Sequence, residues 1–185
     1  MRLVFKIVIG AIVVLFAAFG YTFWAMTAEN PSPVTQLNPQ SSFPKALVIS
    51  DPGISDFESR VAAAFAQGLT ANWHVEVTTA SSSTPTDLSG YSLVVLSSPI
   101  YGGQPSIPLQ SYLTRLGSLE GMRVVSLLTG AGSSEEAKAW MTAKVQSMGG
   151  TEVMSLILFS MAPNGPLYGL TDPISIAANA AANIS

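Results

Sequence analysis

The sequence predicts an α/β domain, a parallel β-sheet layered between helices, preceded by one transmembrane helix. Three observations predict it. Short apolar or β-branched runs alternate with segments of helical period over residues 45–185, and such alternation builds a parallel sheet covered on both faces. Three of those runs end in Gly- and Ser-containing turns that lead to helix starts. Finally, Ile7–Met26 holds no charged residue, and an uncharged apolar stretch of that length can cross a bilayer.

The amino-terminal segment comes first. Arg2 and Lys6 precede the apolar run, which ends in Tyr21-Thr22-Phe23-Trp24-Ala25-Met26. Aromatic residues there suit a membrane–water interface. A cleaved signal peptide is the competing reading, but Ala25-Met26-Thr27 is a poor cleavage site. Residues 1–26 are therefore read as an uncleaved anchor. Positive charge before the span, and none after it until Lys45, puts the amino terminus in the cytoplasm. The expected location is the cell membrane, single-pass, with the carboxyl-terminal domain extracytoplasmic. Residues 27–44 carry four prolines, one charge and no apolar period. This composition reads as an extended, disordered tether that leaves the domain's orientation free.

Composition narrows the function classes. The 185-residue chain has no cysteine, one histidine and a formal net charge of −3. Thiolate metal sites, disulfides and thiol nucleophiles are excluded, as are multi-histidine metal centres. Scattered Lys and Arg in a mildly acidic chain argue against nucleic acid. His74 has no nucleophile or ligand partner in view and is read as partly exposed, without a catalytic role.

The domain follows, taken as residues 45–185. Ala46–Ile49 is a short apolar run that fits a strand buried on both faces. Ser50-Asp51-Pro52-Gly53 breaks it. Ser55 and Glu58 then form a candidate capping box for a helix carrying Phe57, Val61, Ala64, Phe65 and Leu69. His74–Thr79 alternates and is the second strand. Tyr91–Leu96 is the third, and Leu109, Tyr112, Leu113 and Leu116 mark the next helix. Arg123–Leu128 is the fourth strand. Ser133 or Ser134 can cap a helix through Ala137, Trp140, Met141, Lys144 and Met148, which Gly149-Gly150 stops. Glu152–Phe159 is the fifth strand. Asp172–Asn183, with Pro173 in its first turn, is a short final helix. No helix is required between the second and third strands.

Chemistry concentrates in the loops after strands one, three and four: SDPGIS, SSPIYGGQPS and TGAGSS. In open α/β sheets, ligands bind at the carboxyl ends of strands, near the switch in strand order. The first loop also offers a helix amino terminus, where backbone amides favour an anion. Together the three loops resemble those of the flavodoxin-like family, and S-P-I-Y-G-G-x-P-S after an apolar strand is the most specific part.

The resemblance implies a three-layer sandwich with a five-stranded parallel sheet in the order 2-1-3-4-5. It implies flavin mononucleotide (FMN), with its phosphate in the first loop at Ser50, Gly53, Ile54 and Ser55. The isoalloxazine ring would lie between Ser98, Pro99, Ile100, Tyr101, Gly102 and Gly103 of the second loop and Thr129, Gly130, Ala131 and Gly132 of the third. Tyr101 either stacks on the ring or packs over its own loop. The first loop departs from the family's T-x-T-G-x-T pattern. Ser50, Gly53 and Ser55 fall on its first, fourth and sixth positions, but Pro52 replaces the middle Thr and removes a hydroxyl and a backbone donor. Asp51 adds a negative charge that points either at the phosphate or away from it. The implied function is membrane-tethered electron transfer with a redox partner protein. The alternative is a cofactor-free binding or assembly module on the same fold.

Overall fold

The structure is a computed structural model that describes residues 2–132, 135–161, 164 and 172–185. In chain order the elements are α1 (Arg2–Thr27), β1 (Thr35–Gln36), β2 (Lys45–Ser50), α2 (Asp56–Leu69), β3 (His74–Thr79), β4 (Leu93–Tyr101), β5 (Gln104–Pro105), α3 (Ile107–Leu116), β6 (Arg123–Gly130), α4 (Glu135–Ser147), β7 (Thr151–Phe159) and α5 (Pro173–Ala182).

The sheet corrects the expectation of five parallel strands. Among the described residues it has seven strands and is mixed, running β1-β3-β2-β4-β6-β7, with β5 paired to β4. The β3-β2, β2-β4, β4-β6 and β6-β7 pairs are parallel. The additions are two short antiparallel pieces. β5 is the return arm of a hairpin in which Tyr101 faces Gln104 across Gly102-Gly103. Both glycines have positive φ, 58° and 80°, as a two-residue turn matched to strand twist requires. Much of the loop expected after the third strand is therefore strand, and β4 runs on to Tyr101.

β1 comes from the segment expected to be a free tether. Thr35 and Gln36 pair with Val77 and Glu76 at the β3 edge. The Asn38 side chain accepts from the Val75 amide at 2.8 Å and donates to the Trp73 carbonyl at 2.8 Å. Proline removes donors but leaves carbonyls, so a Pro-rich strand can line an outer edge.

The core has two halves, one on each sheet face. On one, α2 and α5 cover the sheet with Phe65, Leu69, Ile176 and Ala177 against Val48, Val75, Val95 and Leu127. On the other, α3 and α4 cover it with Leu109, Leu113, Met141 and Val145 against Leu47, Val94, Leu96 and Leu128. Strand residues alternate between these faces, which is why apolar runs rather than alternating patterns mark them. No helix lies between β3 and β4; Ala80 and Leu88 of that connection fill the layer instead. His74 is buried, contrary to expectation, with Nδ1 3.2 Å from the Ser41 carbonyl.

α1 stands apart from this core. Phe5–Thr27 is long and apolar enough to cross a membrane, and its large apolar side chains are exposed.

Candidate functional site

The site lies at the carboxyl edge of the sheet, where β2, β4 and β6 deliver three loops side by side. β2 ends at Ser50, and the Asp51 amide donates to the Ser97 carbonyl at 3.1 Å. The chain then turns at Gly53, which has φ +66°. A Cβ there would lie 2.7 Å from the Tyr101 hydroxyl and 2.8 Å from Pro99 Cγ. Glycine thus meets two demands at once, the left-handed backbone and the close approach of the second loop.

The capping box is not formed. Ser55 makes no side-chain cap bond, and Glu58 turns inward. The reason lies in α2's buried stripe of Glu58, Val61, Ala62, Phe65, Ala66 and Leu69. Glu58 occupies the first position of that stripe, so its side chain enters the protein rather than curling back.

The result is a pair of buried carboxyl groups under the first loop. Asp51 is 2% exposed and Glu58 1%. Burial pushes Glu58 from 4.5 up to about 8; the Ser97 and Thr129 hydroxyls oppose this, and the charge of Asp51 reinforces it. Among the described residues Glu58 Oε1 and Ser97 Oγ have no partner in hydrogen-bond geometry, although Ser97 lies near the carboxyl, and Thr129 Oγ1 donates to Glu58 Oε2 only at 3.4 Å. Asp51 is also raised by burial, against the Ser106 hydroxyl and the Gly53 amide. An isolated buried carboxylate is costly, so burial favours the protonated form of each group.

The second loop reaches across to the first. The Ile54 amide donates to the Tyr101 hydroxyl at 2.9 Å. One of the donors expected to meet an anion is therefore held by a tyrosine of the neighbouring loop. Burial raises the Tyr101 phenol above its ordinary value; the Ile54 amide opposes that, and the nearby carboxyls add to it.

Between the loops is a cavity of about 310 Å³, at the lower end of the roughly 300–1,000 Å³ range of small-molecule pockets. Its lining includes eight of the residues singled out from sequence: Ile54, Ser55, Pro99, Ile100, Tyr101, Thr129, Gly130 and Ala131. Others stand elsewhere. Gly53 lines a neighbouring cavity against the end of α1. Ser50 lines a cleft between α2 and the sheet, with Pro52 and Gln67. Ser98 is fully buried, and its hydroxyl bonds the Pro99 carbonyl at 2.8 Å and Ser106. Gly102 and Gly103 form the hairpin turn outside the cavity wall, and a Cβ on Gly103 would meet Glu136. Gly132 lies outside the lining, and the capping serines 133 and 134 are outside the described residues.

Sequence reasoning missed Glu58 as a lining residue, together with Phe57, Ser160 and Met26 of α1. The signal for Glu58 was present, since it shares a helical stripe with Val61 and Phe65. Met26 and Ser160 had none, because each arrives from a distant segment.

The residues fit FMN in two unequal halves. Pro99, Ile100, Tyr101 and Gly130 line the largely apolar half that a planar ring would take. A Cβ on Gly130 would have its nearest neighbour at 3.5 Å, so that wall has a little slack. The phosphate half offers the Ser55 hydroxyl and the first-loop amides, next to two carboxyls. A dianion fits there with those carboxyls protonated, and not beside both ionised.

No family model matches the chain, and no curated protein matches it. Solved structures do. The chain is similar to a flavodoxin from Megasphaera elsdenii, with TM-score 0.61 and 18% identity over 75% of this chain and 99% of that one. A flavodoxin from the domain Archaea gives TM-score 0.59 and 17% identity over 76% and 95%. A flavoprotein from Lactobacillus acidophilus, solved in complex with FMN, gives 0.50 and 15% over 62% and 93%. The fold is flavodoxin-like.

Proposed function

We propose that this chain is a membrane-anchored flavodoxin-like protein that binds FMN at the three loops and passes electrons to or from a redox partner protein. The observation that carries the reading is the cavity lined by the loop after β2 and by the carboxyl ends of β4 and β6, beside the switch in strand order. Similarity to an FMN-complexed flavoprotein supports it. Ile100, Tyr101, Gly130 and Ala131 would hold the ring; the Ser55 hydroxyl and amide would hold the phosphate, joined by the Ile54 amide once the Tyr101 hydroxyl gives it up. When bound, the flavin supplies the redox chemistry. The chain's residues orient it, and the buried Glu58, pushed up to about 8, would keep its proton beneath the phosphate end. Anchoring rests on the length and apolarity of α1. An extracytoplasmic domain rests on Arg2 and Lys6 lying at the amino-terminal end of the span.

A second reading is a cofactor-free module on the same fold. It is favoured by one specific contact, the Tyr101 hydroxyl on the Ile54 amide, which engages a phosphate donor internally.

The test is direct. The full chain is purified in detergent, exposed to excess FMN, freed of unbound ligand and scanned in the visible. Bound flavin absorbance, with FMN recovered on denaturation, supports the first reading. A colourless chain after loading refutes it and leaves the second.

A further inference from the structure

The segment after α1 does not let the domain stand away from the helix. α1 ends at Thr27, and its ladder continues one step further, with the Ala28 amide donating to the Trp24 carbonyl at 2.8 Å. Glu29 is already fixed: its Oε2 accepts from the Ser82 amide at 2.7 Å. The Asn30 carbonyl accepts from the Thr79 hydroxyl at 2.5 Å. The Ser32 carbonyl accepts from the Thr78 hydroxyl at 3.0 Å, and the Ser32 hydroxyl from the Thr79 amide at 3.1 Å. Thr78 and Thr79 are the last residues of β3, so the chain leaves the helix straight onto the carboxyl edge of the sheet. The slack between Thr27 and Glu29 is at most about 7 Å.

The same edge carries apolar surface. Ile54 of the first loop is 51% exposed, Ile107 at the start of α3 50%, and Met161 after β7 85%. Each lies where a strand has just ended or a helix begins, on the side from which α1 departs. α1 also leaves a cavity with Ile54 and Gly53 that is lined by Tyr21, Thr22, Trp24 and Ala25. In a span of about 35 Å these aromatic residues fall at the membrane–water boundary. Ile54 therefore sits at the depth of the interfacial aromatics.

We infer that the carboxyl edge of the domain docks on the bilayer interface, with Ile54, Ile107 and Met161 facing the lipid headgroups, so that the three-loop cavity opens at the membrane surface rather than toward bulk water. Met26 lining that cavity makes the anchor part of its wall. Asp56, Glu135 and Glu136 are exposed at the same edge. The contact is therefore apolar and tethered, suited to zwitterionic lipid and not driven by anionic headgroups. A partner reaching the cavity does so along the membrane plane: a membrane-resident protein or a lipid-soluble molecule meets it more readily than a soluble carrier. The inference rests on the anchoring part of the proposed function and does not require flavin.

The absence of native cysteine makes the test clean. Full-length Ile54→Cys, Ile107→Cys and Met161→Cys are spin-labelled in phosphatidylcholine vesicles, with Ser118→Cys as the reference at the opposite edge of the sheet. The ratio of collisions with oxygen to collisions with a water-soluble nickel chelate reports depth and cancels local crowding. The expected ratio is at least threefold higher at the three edge sites than at Ser118, and unchanged by high salt. Equal ratios at all four sites, in protein that floats with vesicles and resists alkaline extraction, overturn the docking and leave the anchor intact. Protein that fails to float overturns the anchor and the docking together. Loss of folding in one variant is covered by the other two edge sites.

Discussion

Replacing Glu58 by Gln probes the buried carboxyl pair most sharply. Gln keeps the shape of the protonated acid and cannot ionise. In the folded chain Glu58 holds its proton up to about pH 8, against 4.5 for its ordinary value. Between those limits the unfolded chain has released a proton that the folded chain keeps, so stability falls as pH rises. The slope is about 1.4 kcal/mol per pH unit. Over the whole window the loss is on the order of 5 kcal/mol, with no further change above about pH 8. Asp51, raised in the same sense by burial, contributes in the same direction and is present in both proteins. The assay is urea unfolding of the full chain in detergent at pH 5.5, 7 and 8.5, read from the fluorescence of buried Trp73. The wild type should lose several kcal/mol from the lowest to the highest pH. Glu58→Gln should lose much less and should be the more stable protein at pH 8.5. Parallel pH profiles for the two would refute the buried-proton account.

Three further substitutions test the loops. Gly53→Ala meets both a positive φ and contacts under 3 Å, and should cost about 2–3 kcal/mol in denaturant unfolding; a change under about 0.5 would mean the loop relaxes freely. Pro52→Thr restores a hydroxyl and an amide, and should tighten FMN about threefold to tenfold by fluorescence titration; an unchanged constant in a folded variant would show that the proline is no obstacle. Tyr101→Phe keeps the ring and frees the Ile54 amide, so FMN should tighten about threefold; weaker binding would mean that the hydroxyl helps hold the ligand.

The strands were legible because parallel strands buried on both faces read as apolar runs, as LVVL and RVVSLL do here. The loops were legible because Gly and Pro cannot continue those runs. What escaped was direction and long-range partnership. Glu58 fits a capping box by local spacing and a core stripe by helical spacing, and only the packing of α2 on the sheet decides between them. Asp51 had two open directions, and the structure turns it inward. Thr35-Gln36 has no pattern of its own, since a two-residue edge strand takes its conformation from β3. Gly102-Gly103 looked like an opening for a ring but serves as a hairpin turn, because Gln104 returns to pair with Tyr101. His74 is buried by the carbonyl of Ser41, a residue from the segment expected to hang free. That segment also decides how the protein must be handled: cutting at Lys45 would remove β1 and expose the β3 edge, so binding is best measured on the full chain.

The most direct measurement is a paired titration of the full-length protein with FMN and with riboflavin at pH 6.5, where Glu58 holds its proton, followed by quenching of flavin fluorescence. The two ligands share the ring and differ in the phosphate. Binding of FMN at least tenfold tighter than riboflavin is the predicted result, with the ring in the three-loop cavity and the phosphate on the first loop. Absence of quenching by either ligand at micromolar concentrations would contradict the account.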